Sequence, residues 1–229
     1  CLFIMPWGKI MKTQFLDRTE AGQRLALQLK IYANRANVVV MALPRGGVPV
    51  AYEIAQALNL PLDICLVRKI GEPGHKETAM GAIAADNVKL LNPSAKRYLK
   101  ITNETLEEIV AQEQQELWRR ERVYRRHCPP MDISDRIVIL VDDGLATGAT
   151  MGAAIMWLNY QVRSQKQLII AVPVASMAAY KQLKKHVDRL VCLFIPKHLY
   201  AIGLWYDNFA QVSDEQVCSL LSRSRVPAI

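Results

Sequence analysis

Short apolar runs rich in β-branched residues recur along the chain. They are Val38 to Leu43, Leu62 to Val67, Ile137 to Val141, Leu168 to Val174 and Leu190 to Ile195. A run of this kind, bounded by turn residues, is typical of a strand that is buried on both faces, as in a parallel sheet. We therefore predict five buried, mostly parallel strands at these positions.

Helical patterns lie between several of these runs. They cover Val48 to Leu58, Ala149 to Leu158 and Met177 to His186, and each follows a turn that contains Gly, Pro or Ser. Strands that alternate with helices predict a doubly wound α/β fold with a mostly parallel sheet. A chain of 229 residues, 51% of them hydrophobic, suits one such domain, which we place at residues 11–229.

Three segments stand outside this alternation. Residues 70–80 contain two glycines, a proline and several charges, so they predict a flexible lid loop, and Gly81 to Leu91 predict a hairpin. Residues 92–136 predict a helical insertion that includes an arginine-rich helix at 104–126. Residues 1–10 precede the first helical stretch, and we interpret them as an extension or an expression scar.

The charge and the cysteines narrow the class of protein. A net charge of +8 suits nucleic acid, but it equally suits a pocket for a ligand with several phosphates. The arginines at 119–126 lie in a helical segment that also contains glutamates, which favours a solvated helix, or a subunit-facing helix in a homodimer, over a nucleic-acid patch. The five cysteines are odd in number and lack a C-x-x-C pair, which favours a reducing cytoplasm. No apolar run reaches the roughly 18 residues of a membrane helix, so we predict no membrane contact.

One turn concentrates the chemistry. The strand that ends at Val141 runs into Asp142, Asp143 and Gly144, and then through Thr-Gly-Ala-Thr at 147–150 into a helix. In open α/β sheets, ligands bind beyond the carboxyl ends of the strands, and a helix that begins there points unpaired N–H groups at an anion. Threonine hydroxyls can donate to a phosphate, and adjacent carboxylates suit sugar hydroxyls or a hydrated Mg²⁺. The turn therefore predicts a site for a ribose 5-phosphate.

The same residues resemble the signature of type I phosphoribosyltransferases that binds phosphoribosyl pyrophosphate (PRPP). The signature has four apolar residues, two acids and a Thr-Gly-x-Thr phosphate loop. The resemblance implies that Asp142 and Asp143 hold the ribose hydroxyls, are catalytic, and meet Mg²⁺ mainly through PRPP and water. It also implies a sheet of the type I kind with a lid, an insertion and a small C-terminal hood at 195–215. The implied 5-phosphate site consists of Gly144, Ala146, Thr147, Gly148, Ala149 and Thr150.

Other nucleotide-binding motifs do not fit this turn. The alternative to a phosphate-binding turn is a strand that ends in a polar turn without a ligand. A P-loop protein would need G-x-x-x-x-G-K-[ST], and the chain contains neither that motif nor G-x-G-x-x-G or G-x-S-x-G.

Two segments resemble the pyrophosphate-binding parts of the family. Arg45, Gly46 and Gly47 follow the first strand and resemble its short pyrophosphate loop, although an ordinary strand-to-helix turn has the same composition. The sequence at 67–74 resembles the V-R-K-x-G stretch of adenine phosphoribosyltransferases, which implies that Arg68 and Lys69 meet the pyrophosphate. Glu77 follows in the lid, where it is either a general base or a solvated carboxylate.

The C-terminal segment resembles the hood of hypoxanthine-type enzymes, in which an aspartate follows a glycine by four residues. Gly203 and Asp207 have this spacing. The resemblance implies that Trp205 stacks on a base, that Lys197 meets a base carbonyl, and that Asp207 contacts the base or the Mg²⁺-pyrophosphate. A tryptophan buried only for packing is the alternative.

These features predict an enzyme that displaces pyrophosphate from Mg²⁺-bound PRPP with a nitrogen nucleophile, for which a nucleobase in nucleotide salvage is the favoured candidate. The whole chain also resembles a group of bacterial predicted phosphoribosyltransferases whose acceptor is unassigned. The second hypothesis is a PRPP-sensing regulator of the same fold that binds nucleic acid through the arginine-rich helix, because fold alone does not fix function. A PRPP synthase is disfavoured, since no ATP-binding segment stands out.

Overall fold

A computed structural model gives the structure of the chain. It describes residues 3–4, 10–11, 14–72, 75–84, 89–91, 103–126, 129–161 and 167–224. Within these ranges, side chains are described for 14–70, 81–84, 107–126, 129–161 and 167–224.

The described strands, in chain order, form three sheets. They are β1 (Phe3–Ile4), β2 (Ile10–Met11), β3 (Val38–Ala42), β4 (Leu62–Ile64), β5 (Val67–Glu72), β6 (His75–Ala84), β7 (Lys89–Leu91), β8 (Ile137–Val141), β9 (Gln167–Val174) and β10 (Arg189–Phe194).

The described α-helices are α1 (Arg18–Gln28), α2 (Gly47–Leu58), α3 (Asn103–Tyr124), α4 (Ala149–Gln161), α5 (Met177–Leu183) and α6 (Asp214–Arg223). Short 3₁₀ turns lie at Lys30–Tyr32, Lys184–His186 and Ile202–Trp205. No helix within the described ranges is long and apolar enough to cross a membrane.

The central sheet has five parallel strands in the order β10-β9-β8-β3-β4. This confirms the α/β class and the five strands predicted from the apolar runs. The first core strand lies between the second and the third, so the chain winds first toward one edge of the sheet and then toward the other. Such a reversal leaves a crevice at the carboxyl ends of β3 and β8.

Helices cover both faces of this sheet because successive strand residues point to opposite sides. Val38 and Val40 of β3 pack in one apolar cluster with Ile54 of α2. Val39 and Met41 point the other way, into a second cluster that includes residues of α4 and α5. The strands β3 and β8 are buried at every position, which explains why they are apolar throughout.

A small antiparallel sheet of β5, β6 and β7 stands beside the central one. The pairing of Gly81 with Leu91 confirms the predicted hairpin. The loop predicted at 70–80 is wrong for 70–72 and 75–80, which lie in β5 and β6. The glycines and charges suggested a loop, but antiparallel pairing of β5 with β6, with register shifts around Gly71, keeps both segments extended. A lid role for β5 and β6 stays a prediction.

The insertion contains the long helix that the sequence predicts, at Asn103–Tyr124. Its far end is fastened to the domain by Arg125, which forms an ion pair with the buried Asp63 and donates to the carbonyl of Ile64 at 2.9 Å. Residues 92–102 lie outside the described residues, so the start of the insertion stays a prediction. In the predicted extension, β1 pairs with β2.

Candidate active site

Two of the predicted segments meet in the crevice between β3 and β8. The Arg45 to Gly47 turn follows β3 and starts α2, whereas Asp142 and Asp143 follow β8. A Cβ on Gly46 would lie 2.0 Å from an Asp143 carboxylate oxygen, and one on Gly47 would lie 2.7 Å from the Val141 carbonyl. Only glycine allows the two turns to approach this closely. The structure thus places the loop predicted for pyrophosphate directly against the acid pair predicted for ribose.

The two acids have different surroundings. Asp143 forms an ion pair with Arg18, whose Nε and Nη2 both lie 2.8 Å from Oδ2. Asp142 instead accepts a hydrogen bond from the backbone N–H of Asp143 at 2.9 Å. Burial and then the charge of Asp143 raise the pKa of Asp142 well above its ordinary value. Burial also raises the pKa of Asp143, while Arg18 opposes that rise.

Sequence reasoning missed Arg18, the first residue of α1. Its side chain is buried, its Nη1 donates to the Ala210 carbonyl at 2.9 Å, and its guanidinium lies 3.8 Å from the centre of the Phe209 ring. No local pattern could reveal this, because Arg18 and Asp143 are 125 residues apart. Arg18 therefore ties α1 and the hood to the acid pair.

Tyr206 is a second residue that the sequence did not reveal. Its hydroxyl donates to the backbone carbonyl of Asp143 at 2.7 Å. Burial raises the pKa of Tyr206, so the hydroxyl remains a proton donor at neutral pH. This hydrogen bond holds the backbone of the acid pair to the hood segment.

The predicted phosphate turn leads into the N-terminus of α4. Gly148 has a φ of +75°, the left-handed region that favours glycine, and a Cβ there would lie 3.0 Å from Leu183. Ser176 holds the turn in place, because its hydroxyl donates to the Ala146 carbonyl at 2.6 Å. Thr147 and Thr150 are exposed at the mouth of the turn. The turn therefore offers exposed hydroxyls and a helix N-terminus to an anion.

The hood packs on the acid pair through aromatic residues. Ile202 contacts the turn so closely that a Cβ on Gly144 would lie 2.6 Å from it. The ring of Trp205 packs against that of Phe194, with centroids 5.7 Å apart, while Lys197 and Asp207 are exposed. The structure thus brings Trp205 into a packed cluster. The base contacts predicted for Trp205, Lys197 and Asp207 stay predictions.

The predicted pyrophosphate cations have carboxylate neighbours. Arg45 lies 3.9 Å from Asp214, the first residue of α6. Arg68 forms an ion pair with Glu113 of α3, so its guanidinium is directed toward the insertion. Lys69 follows on the same strand and is partly buried. The backbone of Glu77 lies in β6, and its side chain is outside the described residues.

The acid pair fits one kind of metal site. Within the described residues, no group of three or more His, Cys, Asp or Glu side chains could hold a metal ion. Two neighbouring carboxylates without a further protein ligand still suit Mg²⁺. This ion keeps several waters and binds through one or two carboxylates and substrate phosphates. Asp142 and Asp143 could therefore hold Mg²⁺ only together with water and a phosphorylated ligand.

A parallel sheet with a topological switch point, and two helix N-termini beside an acid pair, is an arrangement in which α/β proteins bind phosphorylated ligands. The chain belongs to the phosphoribosyl transferase domain family, whose model matches residues 12–198. This match covers the acid pair and both turns but ends before most of the hood.

Related proteins support the same assignment. Two Mycobacterium tuberculosis proteins, named "Putative phosphoribosyl transferase MT0597" and "Putative phosphoribosyl transferase Rv0571c", are each 38% identical over 210 residues. The match covers 92% of this chain and 47% of each relative, so the chain spans about half of their length. The crystal structure of TT1426 from Thermus thermophilus is 40% identical in sequence, and the match covers 92% of this chain and 98% of that one, with a TM-score of 0.81.

Proposed function

We propose that the chain transfers a phosphoribosyl group from PRPP to a nitrogen nucleophile and releases pyrophosphate. The observation that supports this most directly is the contact of Gly46 with Asp143. It brings a turn suited to pyrophosphate and an acid pair suited to ribose within the span of one PRPP molecule. Membership of the phosphoribosyl transferase domain family supports the same reaction.

In this proposal the two ends of PRPP bind at two helix N-termini. The 5-phosphate lies in the turn from Gly144 to Thr150, before α4, and the pyrophosphate lies at Arg45 to Gly47, before α2. Both helices begin at the carboxyl edge of the sheet, so both dipoles favour negative charge there. Holding both ends fixes the anomeric carbon between them, which accounts for much of the rate enhancement in a reaction of this type.

The acid pair acts on the ribose. As the bond from the anomeric carbon to the pyrophosphate oxygen breaks, that oxygen keeps the electron pair and positive charge develops on the ring. The nitrogen lone pair then forms the new bond, and the nitrogen loses a proton. Asp142 and Asp143 hold the ribose hydroxyls while this charge develops. Glu77 is the proposed acceptor of the proton.

Cations stabilise the leaving group. Arg45, Arg68 and Lys69 are proposed to meet the pyrophosphate, and a bound Mg²⁺ supplies further positive charge to its oxygens. For Arg68 this requires release from Glu113. The hairpin of β5 and β6, which carries Arg68 and Lys69, would exclude water from the reacting carbon as it closes.

The acceptor is proposed to be a nucleobase that binds beneath the hood. The hood lies against the acid pair through Tyr206 and Ile202, so a base beside Trp205, Lys197 and Asp207 would be close to the ribose. This assignment places the reaction in nucleotide salvage.

The competing hypothesis, a PRPP-sensing regulator that binds nucleic acid, requires free cations on α3. Arg119 is instead paired with Glu116 and Asp214, and Arg125 pairs with Asp63. Fewer charges of the helix are then left for phosphates of nucleic acid. The enzyme is therefore the better-supported proposal.

A pyrophosphate-release assay tests this proposal. The chain is incubated with PRPP, Mg²⁺ and a panel of purines, pyrimidines and other amines. Release that depends on one acceptor supports the enzyme and identifies the substrate. Binding of nucleic acid that responds to PRPP and weakens steeply with salt, without any turnover, would support the regulator instead.

A further inference from the structure

A cavity of about 390 Å³ opens beside the Arg45 to Gly47 turn. Its lining includes Gly46 and Asp143, so it is continuous with the crevice that holds the acid pair. Three arginines from separate parts of the chain also line it, namely Arg18 of α1, Arg45 and Arg120 of α3. The sequence pointed only to Arg45.

Arg120 is held in place by its own helix. Its Nε donates to Glu116 one turn earlier, at 2.7 Å, and its side chain is 18% exposed. Within the described residues, its two terminal nitrogens make no hydrogen bond. They are the planar pair that binds two oxygens of a phosphate at once.

The helix itself is anchored so that Arg120 stays at the cavity. The Tyr124 hydroxyl donates to Asp214 at 2.5 Å, and Arg119 donates to the same carboxylate at 2.7 Å. Asp214 is the first residue of α6, and the capping box of Ser213 and Gln216 fixes where that helix starts. The contacts on both sides of Arg120 therefore hold it against the catalytic crevice.

The charges that line the cavity favour a polyanion. Arg18 is neutralised by Asp143, whereas the Asp214 carboxylate lies 3.9 Å from Arg45, beyond hydrogen-bond distance. The cavity wall thus carries two guanidinium groups, those of Arg45 and Arg120, that retain donors for a ligand. Two such groups beside a helix N-terminus suit a pyrophosphate better than a single phosphate.

We propose that Arg120 is a pyrophosphate-binding residue, so that the inserted helix α3 forms part of the active site. This inference rests on the proposed function, because it assigns a further ligand to the leaving group of the same reaction. It also gives the arginine-rich helix a role within the site.

Calorimetric titration with magnesium pyrophosphate tests this assignment. Arg120→Gln removes the charge and should weaken pyrophosphate binding about tenfold or more, as expected for a lost hydrogen bond between charged groups. Ribose 5-phosphate, which binds at the other turn, should bind as in the unchanged chain. Arg122→Gln is the matched control, because Arg122 is exposed on the same helix.

A second variant separates ligand binding from the stability of the helix. Glu116→Gln weakens the contact that holds Arg120 in place, but Arg120 keeps its charge. Pyrophosphate binding should therefore fall much less than in Arg120→Gln. If Arg120→Gln and Arg122→Gln bind pyrophosphate equally well, the inference is overturned. An unchanged chain that binds ribose 5-phosphate but not pyrophosphate also overturns it, whereas one that binds neither ligand overturns the proposed function as well.

Discussion

At the scale of single residues, the Asp143 carboxylate fills the space beside Gly46 in which a side chain would lie. In Gly46→Ala, the new Cβ would lie 2.0 Å from Oδ2, so either the carboxylate or the loop must move. We expect the free energy of unfolding to fall by about 1 to 3 kcal/mol, as for overpacking elsewhere. Pyrophosphate binding should be lost as well. Chemical denaturation and calorimetry measure the two effects.

Gly152→Ala is the matched control for this change. Gly152 lies inside α4, and a Cβ there would lie 3.9 Å from the Leu183 side chain, which is ordinary contact. Because alanine favours a helix interior over glycine, the free energy of unfolding should rise by about 0.5 to 1 kcal/mol. If both variants lose stability equally, the close approach of the two turns is not the cause.

The acid pair gives a second prediction. The sequence treats Asp142 and Asp143 alike, but only Asp143 neutralises a buried arginine. Asp143→Asn should lower the free energy of unfolding by about 3 kcal/mol, because it leaves Arg18 without its counter-charge. Asp142→Asn should cost no stability, since burial already disfavours the charge on Asp142.

Activity should respond differently from stability. Turnover should fall about ten- to a hundredfold in Asp142→Asn, because the amide replaces the carboxylate that we propose holds the ribose. Denaturant titration and pyrophosphate release measure the two properties separately. Full activity of Asp142→Asn on the identified acceptor would contradict a role in holding the ribose.

Contiguous residues of the candidate site could be identified from the sequence, and distant ones could not. The acids and the Thr-Gly-Ala-Thr turn occupy adjacent positions with a recognisable spacing. Arg18 and Tyr206 reach Asp143 from 125 and 63 residues away, and nothing in their local sequence distinguishes them from surface residues. Only the folded chain brings them together.

At the scale of elements, α3 is held to the domain by ion pairs that depend on pH. Hydrogen bonds from Arg119 and Arg120 lower the pKa of Glu116 from 4.5 to about 2. Because the pKa is lower in the folded state, the stabilisation is present above pH 4.5 and is lost as the pH falls toward 2. Glu116→Gln should therefore flatten the pH dependence of the free energy of unfolding between these values.

Chemical denaturation at several pH values measures this effect. Glu107→Gln is the control, since Glu107 is exposed on the same helix and has no ion pair among the described residues. An unchanged pH dependence in Glu116→Gln would show that the carboxylate does not contribute to holding α3.

The pair of Arg68 and Glu113 gives another prediction at this scale. If Arg68 leaves Glu113 to meet pyrophosphate, breaking the pair is part of the cost of binding. Glu113→Gln should then tighten pyrophosphate binding about two- to fivefold, which corresponds to the roughly 0.2 to 1 kcal/mol of a partly exposed ion pair. Calorimetry measures the change, with Glu108→Gln as the exposed control on α3. Weaker binding in Glu113→Gln would mean that Glu113 positions Arg68 for the ligand.

The elements also differ in how far they could be predicted. The core strands are apolar on both faces, so their pattern alone identified them. The strands β5 and β6 contain glycines and charges, and their extended form depends on pairing across the hairpin. Such pairing is a tertiary contact, which local composition does not encode.

At the scale of the whole molecule, the order of the strands determines the site. Alternation of strands and helices predicted a parallel sheet, but it did not predict that β3 and β8 are neighbours. That adjacency brings two turns, 95 residues or more apart in sequence, to one crevice. Backbone contacts of residues 14–16 with residues 205–208 also join the N-terminal segment to the hood.

A ligand that spans this crevice should stabilise the whole fold. Magnesium PRPP at a hundredfold excess over its dissociation constant should add about 2.7 kcal/mol to the free energy of unfolding. For a domain of this size, that raises the melting temperature by about 5 to 10 °C. In the proposed site, ribose 5-phosphate or pyrophosphate alone would fill one end of the crevice, so either should bind more weakly than PRPP and give a smaller shift at the same concentration. Gly148→Val, which blocks the phosphate turn, should abolish the shift with ribose 5-phosphate. An unchanged melting temperature, with no binding of PRPP detected by calorimetry, would refute the proposed site.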